Sequence, residues 1–115
     1  MRSNTILIKS FDFAVRIIGL SRKLQQQREF VISNQLLRAG TSVGAQVEEA
    51  QAGQSRKDFI AKMSIASKEA RETRYWLRLL EKSGIADVDV RAELEDAEEL
   101  IRIITAIVKT AGSAR

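Results

Sequence analysis

The chain has 115 residues, a formal net charge of +4 and no Cys, His or Pro. That length supports one domain with its own core. Without Cys or His there is neither a Cys/His zinc site nor a His-based catalytic triad, and the absence of Cys fits a reducing, cytoplasmic setting.

The densest apolar run, residues 103–108, is far shorter than the roughly 20 residues a membrane span needs. The opening MRSNTILIKSFDF has neither the long apolar centre nor the small-residue cleavage site of a signal peptide. No membrane partner is expected. The charge is polarised along the chain. Residues 1–47 carry net +5, residues 56–78 net +4 and residues 81–99 net −6. Such polarity can steer a polyanion or orient subunits.

The first helix is expected over residues 10–27, with Ser10 as candidate cap. Phe11, Ala14, Ile18 and Ser21 trace one stripe, and Phe13, Ile17, Leu20 and Leu24 trace its neighbour. The combined apolar face is wide enough for more than one packing partner. Polar residues 25–29 mark the break. A second helix is expected over 31–52, with Leu36, Ala39 or Gly40, Val43, Val47 and Ala50 at helical spacing, ending at Gly53.

The third helix is expected over 55–83. Ser55 and Asp58 have the spacing of a capping box, Phe59, Met63, Ala66, Ala70, Thr73, Leu77 and Leu80 form its seam, and Gly84 stops it. The fourth is expected over 89–111, capped by Asp87 or Asp89. Its seam is Val90, Leu94, Ala97, Ile101, Ile104 and Val108, widened by Leu100, Ile103 and Ile107. Four helices with short connections predict an all-α, antiparallel up-and-down four-helix bundle in a single domain, residues 1–115.

Two features bear on association. Gly40 and Gly44 lie one turn apart, and each costs about 1 kcal/mol relative to Ala in a helix. Close approach of another helix would offset that cost. Near the end of the third helix, Tyr75 and Trp76 point in different directions beside Leu79. These five residues are the candidate packing or oligomer contacts.

For catalysis the sequence offers little. Paired acids occur at Glu48 and Glu49 and at Glu69 and Glu72, but the Glu-x-x-His motif of metal-binding bundles is absent. Ser42, Ser64 and Ser67 have no activating neighbour pattern, and no glycine-rich phosphate loop is present. No catalytic, metal or cofactor residue is assigned, and an enzyme is not expected. The basic residues make a better case. Lys68, Arg71, Arg74 and Arg78 share a broad helical face, which Arg16, Lys23 and Arg38 would extend after folding. Such a surface contacts phosphate backbone rather than base identity.

Several blocks together resemble the four-helix-bundle proteins encoded by intervening sequences of bacterial large-subunit ribosomal RNA genes. They are SNQLLRA at 33–39, SVGAQVEEA at 42–50, SRKDF at 55–59, MSIA at 63–66 and KEARETRYWL at 68–77. The family pattern has Pro where this chain has Gly44, often Asn at Gln46, and Gly at Ala50. The chain is also similar to the accessory bundle proteins of diversity-generating retroelements. The resemblance implies a bundle that assembles as a homopentamer, and the retroelement likeness implies a basic ring touching RNA or DNA. The expected role is a noncatalytic homo-oligomeric scaffold. Nucleic-acid binding and adaptor binding to an unidentified protein partner are the alternatives.

Overall fold

The computed structural model describes residues 2–113, with side chains from Thr5 onward. Four helices follow one another: α1 (Arg2–Gln26), α2 (Phe30–Gln51), α3 (Arg56–Ser83) and α4 (Arg91–Ser113), with no strand among the described residues. Each helix packs on the next and α1 closes on α4, while α1 and α3 sit on a diagonal. The bundle is a rod of 50 × 21 × 21 Å. Cross-helix contacts show its antiparallel sense. Lys9 pairs with Glu99 and Arg16 with Asp96, so α4 descends as α1 rises.

The core follows the apolar spacing. α1 contributes Ile6, Phe13, Ile17, Leu20 and Leu24, and α2 contributes Leu36, Ala39, Val43, Val47 and Ala50. Met63, Ala66, Ala70, Thr73, Leu77 and Leu80 are buried on α3; Ala97, Leu100, Ile101 and Ile104 are buried on α4, with Val90 just before it. Steps of three and four residues keep each set on one helical face, so burying that face stabilises each helix.

Helix ends obey local chemistry. Ser55 caps α3 through its Oγ, which accepts the Asp58 N–H at 3.0 Å, and the Asp58 carboxylate accepts the Gln54 N–H at 3.4 Å. Gly84 ends α3 in the left-handed region at φ 65°. The turn between α1 and α2 places Arg28 there too, at φ 65°. That turn is tied to the α3–α4 loop by Gln27, whose amide donates to Asp87 O at 2.9 Å and accepts the Asp87 N–H at 2.6 Å.

One expected boundary differs. α1 begins at Arg2, well before Ser10. Ser10 is not a cap but a buried residue inside the helix, and its hydroxyl donates back to Leu7 O at 3.3 Å. The extra turns bury Ile6, which the local pattern alone did not claim.

Candidate functional site

The rotation of α1 is set by its contact with α2. A Cβ added to Gly40 would lie 2.8 Å from Ile17 Cγ2, and one added to Gly44 would lie 3.2 Å from the Ser10 carbonyl oxygen. Both glycines are therefore used inside the chain, where they let α1 approach. Toward the hairpin end, buried Ser21 and Ser33 lock the same pair of helices. Their hydroxyls are 2.5 Å apart, and the Ser33 hydroxyl also donates to Ser21 O at 3.0 Å. Buried hydroxyls are tolerated because each has a partner.

With Phe13, Ile17 and Leu24 turned inward, the other α1 stripe turns outward. Ile8 is 61% exposed, Phe11 63%, Val15 54% and Ile18 43%. Their spacing of three, four and three residues makes one continuous apolar row on the solvent side of α1. The sequence flagged the breadth of this face, but which stripe would be covered depends on the glycine contacts of α2. Phe11 and Ile18 were not among the expected interface residues, nor were Ile8 and Val15.

The outer face of α3 has the opposite character. Lys57, Lys68, Arg71, Tyr75, Arg78 and Lys82 are all exposed and recur at helical spacing on the side away from the core. No Asp or Glu falls in the row. Tyr75 is 55% exposed. Its ring meets Trp76 edge-on, with centroids 5.4 Å apart and an interplanar angle of 69°. Trp76 is half-buried against the core, and its Nε1 donates to Glu72 Oε2 at 3.1 Å. Sequence reasoning found the middle of this row and missed Lys57 and Lys82, which the same periodicity would have added.

Three of the other candidate cations, Arg16, Arg38 and Arg74, are tied up, whereas Lys23 is exposed without an ion-pair partner among the described residues. Arg38 bridges α2 to Glu69 and Glu72 of α3, Arg74 reaches Glu98 of α4 at 3.3 Å, and Arg16 reaches Asp96 at 2.9 Å. Lys62 pairs with Glu49 at 3.3 Å. These pairs rim the seams between helices. Arg16 and Lys23 also lie on α1, diagonal to α3, so they do not extend the α3 row. Leu79 is half-buried beside that row rather than on it. Among the described residues, none of Lys57, Lys68, Arg71, Arg78 and Lys82 has an ion-pair partner.

Two carboxylates on the acidic side depart from ordinary behaviour. Burial pushes the Asp96 carboxyl up despite Arg16. The Arg91 side chain and its backbone N–H both donate to Asp89, holding that carboxyl at about 2. A shallow cleft between α1 and α4 is lined by Lys9, Asp12, Arg16, Asp96 and Glu99 around Phe13 and Leu100. Lys9 and Arg16 are already paired with Glu99 and Asp96 across the seam, which leaves Asp12 as the one unpaired charge among the described residues that line it. No group of three or more Asp or Glu among the described residues is placed to hold a metal ion. Among them, no helix is long and apolar enough to cross a membrane.

Comparisons with known proteins agree with this architecture. The model of the 23S rRNA-intervening sequence protein family matches residues 2–106. A crystal structure of a protein of unknown function from the S23 ribosomal protein family of Bacteroides thetaiotaomicron is 45% identical. It superposes with a TM-score of 0.89 over 95% of this chain and 99% of that one. Comparison with curated proteins finds no match. The family match spans nearly all of the bundle: the chain belongs to the 23S rRNA-intervening sequence protein family.

Proposed function

We propose that the protein is a noncatalytic scaffold that works as an assembly of identical chains, joined through the outer face of α1. The observation that carries this reading is the row Ile8, Phe11, Val15 and Ile18, apolar and open to solvent on a helix whose opposite face already fills the core. Contiguous exposed apolar surface of this kind marks a contact surface. A second copy supplies a cover of matching chemistry, because the same row is available on every chain. The stoichiometry we propose is the homopentamer that the resemblance implies, acting in the cytoplasm.

Sedimentation across a dilution series tests the reading. The expected species has five times the 12.9 kDa chain mass and persists at micromolar concentration. A stable single-chain mass throughout that range sinks the proposal. Val15→Glu should shift the wild-type species to monomer while leaving the helical circular dichroism spectrum intact.

A second reading is favoured by a separate observation, the row of unpartnered cations on α3. In it the assembled protein contacts nucleic-acid backbone through phosphates, a role that the likeness to retroelement accessory proteins also supports. Binding to a labelled strand should then weaken as salt rises, because each neutralised phosphate releases counterions. No binding at low salt removes this second reading and leaves the scaffold standing.

A further inference from the structure

We infer that the outer face of α3 is a binding track for single-stranded nucleic acid, with Tyr75 as a platform on which one base stacks; this rests on the phosphate-binding reading just given. Three observations converge on it.

First, every charge along the face is basic, with Lys57 set apart from the run between Lys68 and Lys82 by the uncharged positions Ala61 and Ser64. Lys57, Lys68, Arg71, Arg78 and Lys82 extend along about 37 Å of helix at 1.5 Å per residue. All five are exposed. A helix surface that exists only to be soluble mixes signs and pairs them at spacings of three and four. This chain does so elsewhere, with Arg38 against Glu69 and Glu72, and Arg74 against Glu98. On the outer row the carboxylates are missing.

Second, an aromatic ring sits in the middle of the cations. Tyr75 falls between Arg71 and Arg78 on the same face, more than half exposed. A ring on the solvent side of a helix costs exposed apolar area, and here it neither fills the core nor covers it. Its orientation is fixed from below. The Nε1 of Trp76 is held by Glu72, Trp76 packs on the core, and Tyr75 rests edge-on against Trp76. A ring held this way loses little freedom on stacking against a planar partner.

Third, the combination distinguishes one kind of polyanion. A straight row of cations accepts any phosphate chain, but a stacking ring between them has a use only where bases are free of a duplex. Backbone charge contacts with an interleaved aromatic are how proteins hold single strands without reading sequence. A duplex hides its base faces in its own stack, and inorganic polyphosphate has none.

The competing occupant of this face is the acidic side of α4 on a neighbouring copy. That side is largely committed within the chain, because Asp96, Glu98 and Glu99 already pair with Arg16, Arg74 and Lys9. The cations of α3 therefore have more unsatisfied charge than α4 has to offer.

The test is fluorescence anisotropy on the full chain in its assembled state. The probes are labelled oligo(rU), oligo(dT), a mixed-sequence DNA duplex and polyphosphate as competitor. Wild type should bind both single strands more tightly than the duplex. Tyr75→Ala should weaken single-strand binding about five- to a hundred-fold and leave polyphosphate competition unchanged, and Tyr75→Phe should restore the affinity. A preference between the RNA and DNA strands would name the sugar, and equal binding would show a track indifferent to it, as stacking and backbone contacts require. Arg71→Glu combined with Arg78→Glu should weaken every probe without changing the sedimenting mass.

The inference falls if duplex and single strands bind alike and Tyr75→Ala changes neither, and phosphate binding then survives as the coarser reading. If no probe binds at low salt, both fall together. Loss of assembly in the double charge-reversal variant overturns the inference differently, by assigning the face to a neighbouring subunit.

Discussion

α1 and α3 do the same work inside the bundle and different work outside it. Each presents one apolar face to the core and sits between two neighbours. Away from the core, α1 shows Ile8, Phe11, Val15 and Ile18, whereas α3 shows five cations around Tyr75. An ordinary bundle helix is polar on its solvent side, and α3 departs from that expectation in the single sign of its charges and in the exposed Tyr75 ring. α1 departs from it outright, because its second apolar stripe remains uncovered within one chain. The difference separates two tasks that a helix surface can hold: exclusion of water against another copy, and attraction of an opposite charge from solution.

Breaking the α1 side should have the largest effect. Phe11→Asp or Val15→Glu puts a carboxylate into the proposed subunit contact, and a central contact residue is typically worth 2 kcal/mol or more. Dissociation on dilution should therefore shift by at least about thirtyfold, while the thermal transition of the isolated chain barely moves. A charge reversal on α3, Arg71→Glu, should leave the assembly intact. If both substitutions dissociate it, the contrast between the two helices is wrong.

The next effect concerns what turns the α1 row outward. Gly40→Ala would drive a methyl into Ile17, a β-branched side chain that is fully buried. Gly44→Ala would press on the Ser10 carbonyl oxygen, which is backbone and yields little. Overpacking costs about 1–3 kcal/mol, and the gain in helix propensity returns about 1 kcal/mol. A net loss of up to about 2 kcal/mol in urea unfolding is expected for Gly40→Ala, where propensity alone predicts a gain. Ser33→Ala acts on the same pair of helices at the other end. It removes one of the two partners of the buried Ser21 hydroxyl, which keeps the residue-33 carbonyl oxygen at 3.3 Å, and should cost about 0.5–1.5 kcal/mol. Replacing both serines should cost less than the two single changes added together, since the hydroxyl–hydroxyl contact they share is lost only once.

A smaller effect belongs to α3 alone. Ser55→Ala removes the cap that accepts the Asp58 N–H and should cost about 1 kcal/mol. It acts at the foot of α3, so assembly through α1 should be unchanged. Hydrogen exchange confined to the first turn of α3 would show it, and faster exchange across α1 would contradict the division.

The core was legible because its signal is local. Met63, Ala66, Ala70, Thr73, Leu77 and Leu80 can be read from spacing alone, and all six are buried. The end of α3 was readable at Gly84, since only a residue without Cβ enters the left-handed region cheaply. The register of α1 was not readable. Both of its stripes are apolar, and the choice between them is made by Gly40 and Gly44, more than twenty residues away. Ser10 mimicked a cap for the same reason: a small polar residue before an apolar run also fits under a glycine. On the basic side, periodicity found Lys68, Arg71 and Arg78. It could not show that Arg38 is spent on Glu69 and Glu72, 31 and 34 residues on, or Arg74 on Glu98, 24 residues on. Tertiary pairing, not composition, decides which cations stay available.

The smallest effect is a titration on α4 that should leave the α1 contact untouched. The α1 row contains no ionisable side chain, so its contact does not itself titrate. Asp89 does, because Arg91 donates to it from both side chain and backbone and lowers its carboxyl from 3.8 to about 2. The native state therefore favours the charged carboxylate. Its contribution is fully present above about pH 3.8, the unfolded value, and is lost as pH falls through about 2. Asp96 has the reverse sign. Burial raises its carboxyl, so the native state takes up that proton more readily than the unfolded chain, and acidification relieves a cost there. Carboxyl chemical shifts followed by NMR should give an Asp89 midpoint near 2 and an Asp96 midpoint above 3.8. Asp89→Asn should remove the acid-dependent fraying at the start of α4 without altering the sedimenting mass at neutral pH. Coincident midpoints for the two carboxyls would mean that neither the Arg91 contacts nor the burial beside Arg16 persists in solution.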